Sequence, residues 1–173
     1  MQYLLVLIAI TVACFNIGVA HGSSSIQRES LRYLPGVAVI IEEVPEDAKA
    51  DGLSEELILA AAERSLQASG TRLLTPVEQA NTPSKPSLYV RVGTYKIRSD
   101  LYVYVVTVAL KQSVVLAHRP ERLMIASTWE EGVIGTPGVN NLKQATQVVE
   151  DLVTRFSNDF QAVNNQEAVR EEK

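Results

Sequence analysis

Sulfur, histidine and surplus positive charge are all scarce in this chain, and each scarcity removes a class of function. The one cysteine, Cys14, can form no internal disulfide, so the fold has to stand on its hydrophobic core. Histidine occurs only at positions 21 and 118, too few to supply a Cys/His set for a transition metal, and no metal or other cofactor is expected. A serine-histidine-acid triad would have to use His118, and no nucleophile-elbow glycine pattern accompanies any serine. With a net charge of -4 the chain offers no basic patch to neutralise phosphates, which argues against nucleic acid.

The remaining motifs of chemistry fail on spacing. The loop Gly135-Thr136-Pro137-Gly138-Val139-Asn140-Asn141 could offer free amides to an anion, but it lacks the lysine of a phosphate loop and reads as a capped turn. Glu46, Asp47 and Asp51 do not follow calcium-loop spacing. Glu42 with Glu43, and Glu130 with Glu131, are sequence neighbours on strands or strand ends. Their side chains therefore point to opposite faces and cannot share acid and base roles. The chain is not expected to be an enzyme; the alternative is a hydrolase or carbohydrate-active enzyme built on scattered carboxylates.

What the chain does have is apolar material in ordered runs. Its 173 residues, 46% hydrophobic and 21% charged, suit one globular domain with one core. Tyr3 to Ala20 is an uncharged apolar run about 18 residues long, at the lower edge of what crosses a bilayer. Gly18-Val19-Ala20 gives the small-x-small pattern of a signal-peptidase site, although Met1-Gln2 carries no basic residue. Two alternatives stand beside cleavage: Thr11-Val12-Ala13-Cys14 resembles a lipoprotein site with Cys14 acylated, or the segment stays as an uncleaved anchor. All three export the remainder. The expected location is periplasmic or secreted, alternatively membrane-anchored, with membrane contact only through this segment.

The expected organisation is residues 1–20 as signal or anchor, 21–33 as a tether, 34–164 as a single domain and 165–173 as a disordered tail. Val37 to Ile41 reads as an interior strand covered on both sides. Ser54 caps a helix running to Ser69 and ended by Gly70, with Ile58, Ala61, Ala62, Ser65 and Leu66 on one face. Thr71 to Thr75 reads as a short strand and Glu78 to Ser87 as a loop. A long hairpin follows, Leu88–Ile97 with Leu101–Leu116, and then a third long strand, Leu123–Trp129, after a turn at His118-Arg119-Pro120-Glu121. Asn140 or Asn141 caps a last helix in which Leu142, Ala145, Val149, Leu152, Val153, Phe156, Phe160 and Val163 recur at helical spacing. The order β-α-β-β-β-β-α predicts an α+β fold, a two-layer sandwich with a mixed five-stranded sheet and both helices on one face.

A two-residue turn at Ser99-Asp100 would set Ile97 opposite Tyr102, Tyr95 opposite Tyr104 and Tyr89 opposite Leu110. Paired residues share a face, so Tyr89, Tyr95, Tyr102 and Tyr104 would lie together. The third strand, pairing Leu110 with Trp129, would add Trp129 to them. The compact residues Leu88, Val90, Val92, Val103, Val105 and Ala109 would take the helices. This aromatic set is the expected binding surface, since one sheet face is left without helices.

The layout, size and export segment resemble small bacterial envelope proteins, similar to the amino-terminal domain of the Tol-system propeller protein and to lipoproteins that assist lipopolysaccharide assembly or transport. Thr128-Trp129-Glu130-Glu131-Gly132, and Phe156 through Asn164, resemble the closing segment of uncharacterised secreted bacterial proteins. The resemblance covers Leu34 to Asn164 and implies a binding or assembly accessory domain whose partner is an envelope protein or a lipid-like molecule. A homodimer is the further alternative.

Overall fold

The computed structural model describes residues 23–99, 101–138 and 141–171, with side chains to 164. Cys14, the apolar segment, Asp100 of the expected turn and Asn140 of the expected cap lie outside the described residues. The fold is α+β, with a four-stranded mixed sheet in the order β1-β2-β3-β4. Its strands are β1 (Ala38–Ile41), β2 (Ser87–Arg98), β3 (Leu101–Leu116) and β4 (Arg119–Gly135). β1 and β2 run parallel, the others antiparallel. The helices are α1 (Ser25–Glu29), α2 (Glu46–Ala50), α3 (Glu55–Ala68), α4 (Pro76–Asn81) and α5 (Gln144–Glu171).

The two long helices form as their patterns require. Ser54 Oγ accepts from the Leu57 amide, Glu55 and Glu56 occupy the first turn, and Ile58, Ala61, Ala62, Ser65 and Leu66 are buried. Gly70 follows at a φ of +72°, the left-handed conformation that lets the chain leave the helix without a Cβ penalty. Leu142, Ala145, Val149, Leu152, Val153, Phe156 and Phe160 enter the core from α5 and its approach, with Val163 packed against it. α3 packs on α5 and on β1, while α5 packs on β3 and β4. The small residues of α3 permit that close approach.

Several expectations are corrected. The fifth strand is reduced to a single parallel bridge, Val37 with Leu73, because Pro76 opens α4 two residues after Leu74 and Thr75 caps it with a reciprocal Glu78 bond. β1 is an edge strand and not an interior one, with Ile40 43% exposed on the side that has no helices. Residues 23–33 are built into the domain: Ser24 and Gln27 form a capping box at α1, and Leu31 is fully buried. The expected tail continues α5, whose helical backbone reaches Glu171.

The largest correction concerns sheet parity. β2 and β3 pair Leu88 with Leu110, Val92 with Val106 and Lys96 with Tyr102, and then Arg98 with Leu101. Ile97 is thus an extra residue on β2, a bulge that shifts the register by one from the even two-residue hairpin. The core face then holds Leu88, Val90, Val92, Tyr102, Tyr104, Val106, Val108 and Leu110. Tyr89 and Tyr95 are left on the opposite face. Leu110 does pair with Trp129, but Thr128 is a second bulge, after which Lys111 pairs with Ser127 and Val114 with Met124. The last turn is Ala117-His118, since Arg119 already belongs to β4.

Candidate functional site

The five aromatic residues expected on one surface are divided by the bulge at Ile97. Tyr102, Tyr104 and Trp129 lie on the helix-covered side, with Trp129 and Tyr102 fully buried and Tyr104 nearly so. Trp129 meets the Phe156 ring edge-on at 5.2 Å between centroids. Its indole N–H donates to Asp159 Oδ2 at 2.9 Å, and the Ser23 hydroxyl donates to the same oxygen. The strand, α5 and the first described residue are therefore joined at one carboxylate.

Tyr102 sits at the other end of the sheet. Its phenol reaches Asp51 Oδ2 at 2.6 Å and the Asp47 carbonyl oxygen at 3.1 Å, while Lys96 Nζ donates to that same Asp51 oxygen at 2.6 Å. The Lys96 ammonium, and after it the Tyr102 hydroxyl, hold the Asp51 carboxyl below its usual range. The bond to Asp51 raises Lys96, and burial, followed by that carboxylate, raises Tyr102. This cluster ties the loop after α2 to the β2–β3 hairpin.

A depressed carboxylate stabilises the fold above its unfolded value, near 3.9 for Asp, and loses that contribution as pH falls through the lower folded value. Asp51→Asn is therefore expected to lower the urea midpoint at neutral pH, with the gap to the parent closing as the pH falls below about 4. A gap that does not change with pH would show that the carboxylate charge has no part in it.

Among the described residues no helix lies on the opposite face. Tyr95 is 73% exposed, Ile134 73% and Val105 40%, and the register makes them neighbours: Val105 pairs with Ile134, and Tyr95 pairs with Val103, two residues away on the same face. Tyr89 also belongs here, donating to Glu42 Oε2 at 2.5 Å, with Lys111 Nζ lying 3.2 Å from its ring centroid. The bond to Glu42 raises the Tyr89 phenol. Of the five expected residues, then, Tyr89 and Tyr95 are on the open face, where Val105, expected beneath the helices, and Ile134 complete the patch.

A groove of about 440 Å³ between α3 and α5 is lined by Arg64, Ser65, Glu150 and Thr154 among others. Its polar groups are already engaged with one another, Arg64 with Glu150 and the Ser65 hydroxyl with Glu150 O and Thr154 Oγ1. Among the described residues, each carboxylate whose titration is displaced is displaced downward: Glu29, Asp51, Glu55, Glu56 and Glu78. A general acid at neutral pH needs the reverse. Glu131 faces the helices and pairs with Arg155 at 3.3 Å, while its neighbour Glu130 is exposed. No set of three or more metal-ligating side chains occurs among the described residues.

Comparison with protein-family models and with curated proteins finds no match to this chain.

Proposed function

We propose that this chain is a non-enzymatic accessory domain of the bacterial cell envelope, which binds a protein or lipid-like partner through the sheet face without helices. The observation that carries the reading is the exposed apolar patch of Tyr95, Val105 and Ile134, set across three paired strands. A rigid sheet presenting neighbouring large apolar side chains to solvent has the character of an interaction surface. The export segment and the resemblance to envelope proteins support the compartment. Carboxylate-based hydrolysis has no comparable observation in its favour, since the displaced carboxylates favour the ionised form.

The test is a photo-crosslinking residue placed at Tyr95 or Ile134 in cells, with Gln67 on α3 as the reference position. Adducts with one envelope component at Tyr95 and Ile134, and none at Gln67, are expected. Equal labelling at all three, or none, would remove the reading. A second reading, the dimerisation module, is favoured by β4, whose 17 residues have β3 as their only sheet neighbour among the described residues. A long unpaired edge can add a strand from another copy, and light scattering of the eluted protein separates the two.

A further inference from the structure

Beyond Lys111 the β3–β4 pair has no further pairing with β2, and its last tie on that edge is the Ser113 amide, which donates to the Ser84 carbonyl at 2.7 Å. β2 ends its pairing at Ser87 with Lys111, whereas β3 and β4 continue together from Gln112 and Ala126 to Val115 and Leu123. The result is a two-stranded ribbon whose apolar side chains are exposed: Val115 55%, Leu123 74%, Met124 49% and Ile125 61%. Val115, Leu123 and Ile125 share the face that continues the open side of the sheet, by their pairing. Nothing in the core requires them to be apolar.

The ribbon also reverses the charge of the chain. Between Lys111 and Ile125 stand Lys111, Arg119 and Arg122 against the single carboxylate Glu121, in a chain whose net charge is -4. Among the described residues neither Arg119 nor Arg122 has an ion-pair partner. Both are exposed, and their long side chains can reach past the apolar residues to a charged layer.

The described chain starts at the same end of the molecule. The Ser30 hydroxyl donates to the Thr128 carbonyl and Gln112 Nε2 donates to the Ser30 carbonyl, so the root of the ribbon is fastened to the segment that follows Ser23. Only His21 and Gly22 separate Ser23 from the apolar run that ends at Ala20.

We propose that the β3–β4 ribbon lies in the surface of an anionic lipid bilayer, with Val115, Leu123 and Ile125 against the acyl boundary and Arg119 and Arg122 on lipid phosphates. Apolar burial together with cationic attraction to headgroups is the usual basis of interfacial binding. This goes beyond the sheet-face reading, because it names a second surface and its partner, and it stands if the partner of Tyr95 and Ile134 proves to be a protein. A second copy docking on the ribbon is the rival outcome.

The test uses the full chain with Cys14→Ser and an environment-sensitive dye at Ile125→Cys, or at Gln67→Cys as reference. Each is reconstituted in zwitterionic vesicles with or without phosphatidylglycerol and a lipid-borne quencher. The dye at 125 is expected to shift to the blue and be quenched in vesicles containing phosphatidylglycerol, while that at 67 is unchanged. Arg119→Glu with Arg122→Glu should abolish the effect at 125. Emission at 125 matching that at 67 in a vesicle-bound chain would overturn the proposal. So would a blue shift at 125 that needs no vesicles and grows with protein concentration, which would mark a contact between copies.

Discussion

Trp129→Ala is expected to cost roughly 3–5 kcal/mol of folding stability, the range for truncating a large aromatic in a packed core. The side chain is fully buried, and its ring fills the space between β4 and Phe156. Its N–H is one of two donors to Asp159 Oδ2, so truncation also takes a partner from a carboxylate beside the core. Trp129→Phe separates these contributions: it keeps most of the ring contact and loses the bond, at a cost of roughly 1–3 kcal/mol for a hydrogen bond to a charged acceptor. Urea unfolding followed by circular dichroism measures both. An alanine variant within about 1 kcal/mol of the parent would mean that β4 is not fixed to α5 through this residue. That outcome would also reopen Trp129 as a surface group.

The reason Trp129 is a core residue was partly legible in the sequence. Its pairing with Leu110 follows from matching apolar residues, and the helical periodicities of α3 and α5 identify their buried faces residue by residue. Hidden from that reading was the parity of the first hairpin, because it depends on one bulged residue, Ile97, and the turn chemistry of Arg98-Ser99-Asp100 does not announce a bulge. A signal was nevertheless available in the charges. Placing Arg91 and Lys111 on the solvent side of their strands requires odd-numbered residues to face odd-numbered ones, which is the register observed. That choice puts Leu88, Val90 and Val92 opposite Leu110, Val108 and Val106, and turns Tyr102 and Tyr104 inward.

The bulge at Thr128 decides which side of the sheet the far half of β4 presents. β4 has the core pattern on one side of it and the exposed apolar pattern of the ribbon on the other. Without the extra residue, Ile125 and Leu123 would fall on the helix side of the sheet, where the ribbon has no helix to receive them. The bulge keeps them on the same face as Ile134 and Val105. One long strand can thus serve the core through Trp129 and Val133 and carry two apolar ends on its other face, with Ser127, Glu130 and Gly132 between them.

Leu31→Ala is expected to cost roughly 2–5 kcal/mol, the range for a buried leucine, although the sequence reading places this residue in a tether, where truncation would change stability by less than about 0.5 kcal/mol. Leu31 is fully buried, and the backbone around it is held from two directions: Asn164 Nδ2 donates to its carbonyl at 3.0 Å, and Arg32 Nη1 donates to the Val163 carbonyl at 3.2 Å. Polar composition suggests a tether, but Ser24 and Gln27 form a capping box whose polar atoms are used locally, and Leu31 carries the packing. A loss confined to fraying, with the urea midpoint unchanged, would restore the tether. The larger effect has a consequence for how the domain is held. The described residues begin at Ser23, and a retained apolar segment would be joined to them through His21 and Gly22, a span of about 7 Å at full extension. Such a short connection would hold the root of the β3–β4 ribbon beside the bilayer, whereas cleavage after Ala20 would leave the ribbon to reach the lipid on its own apolar and cationic groups. The stability of Leu31→Ala and the quenching at Ile125→Cys therefore test two parts of one arrangement, and each can fail without the other.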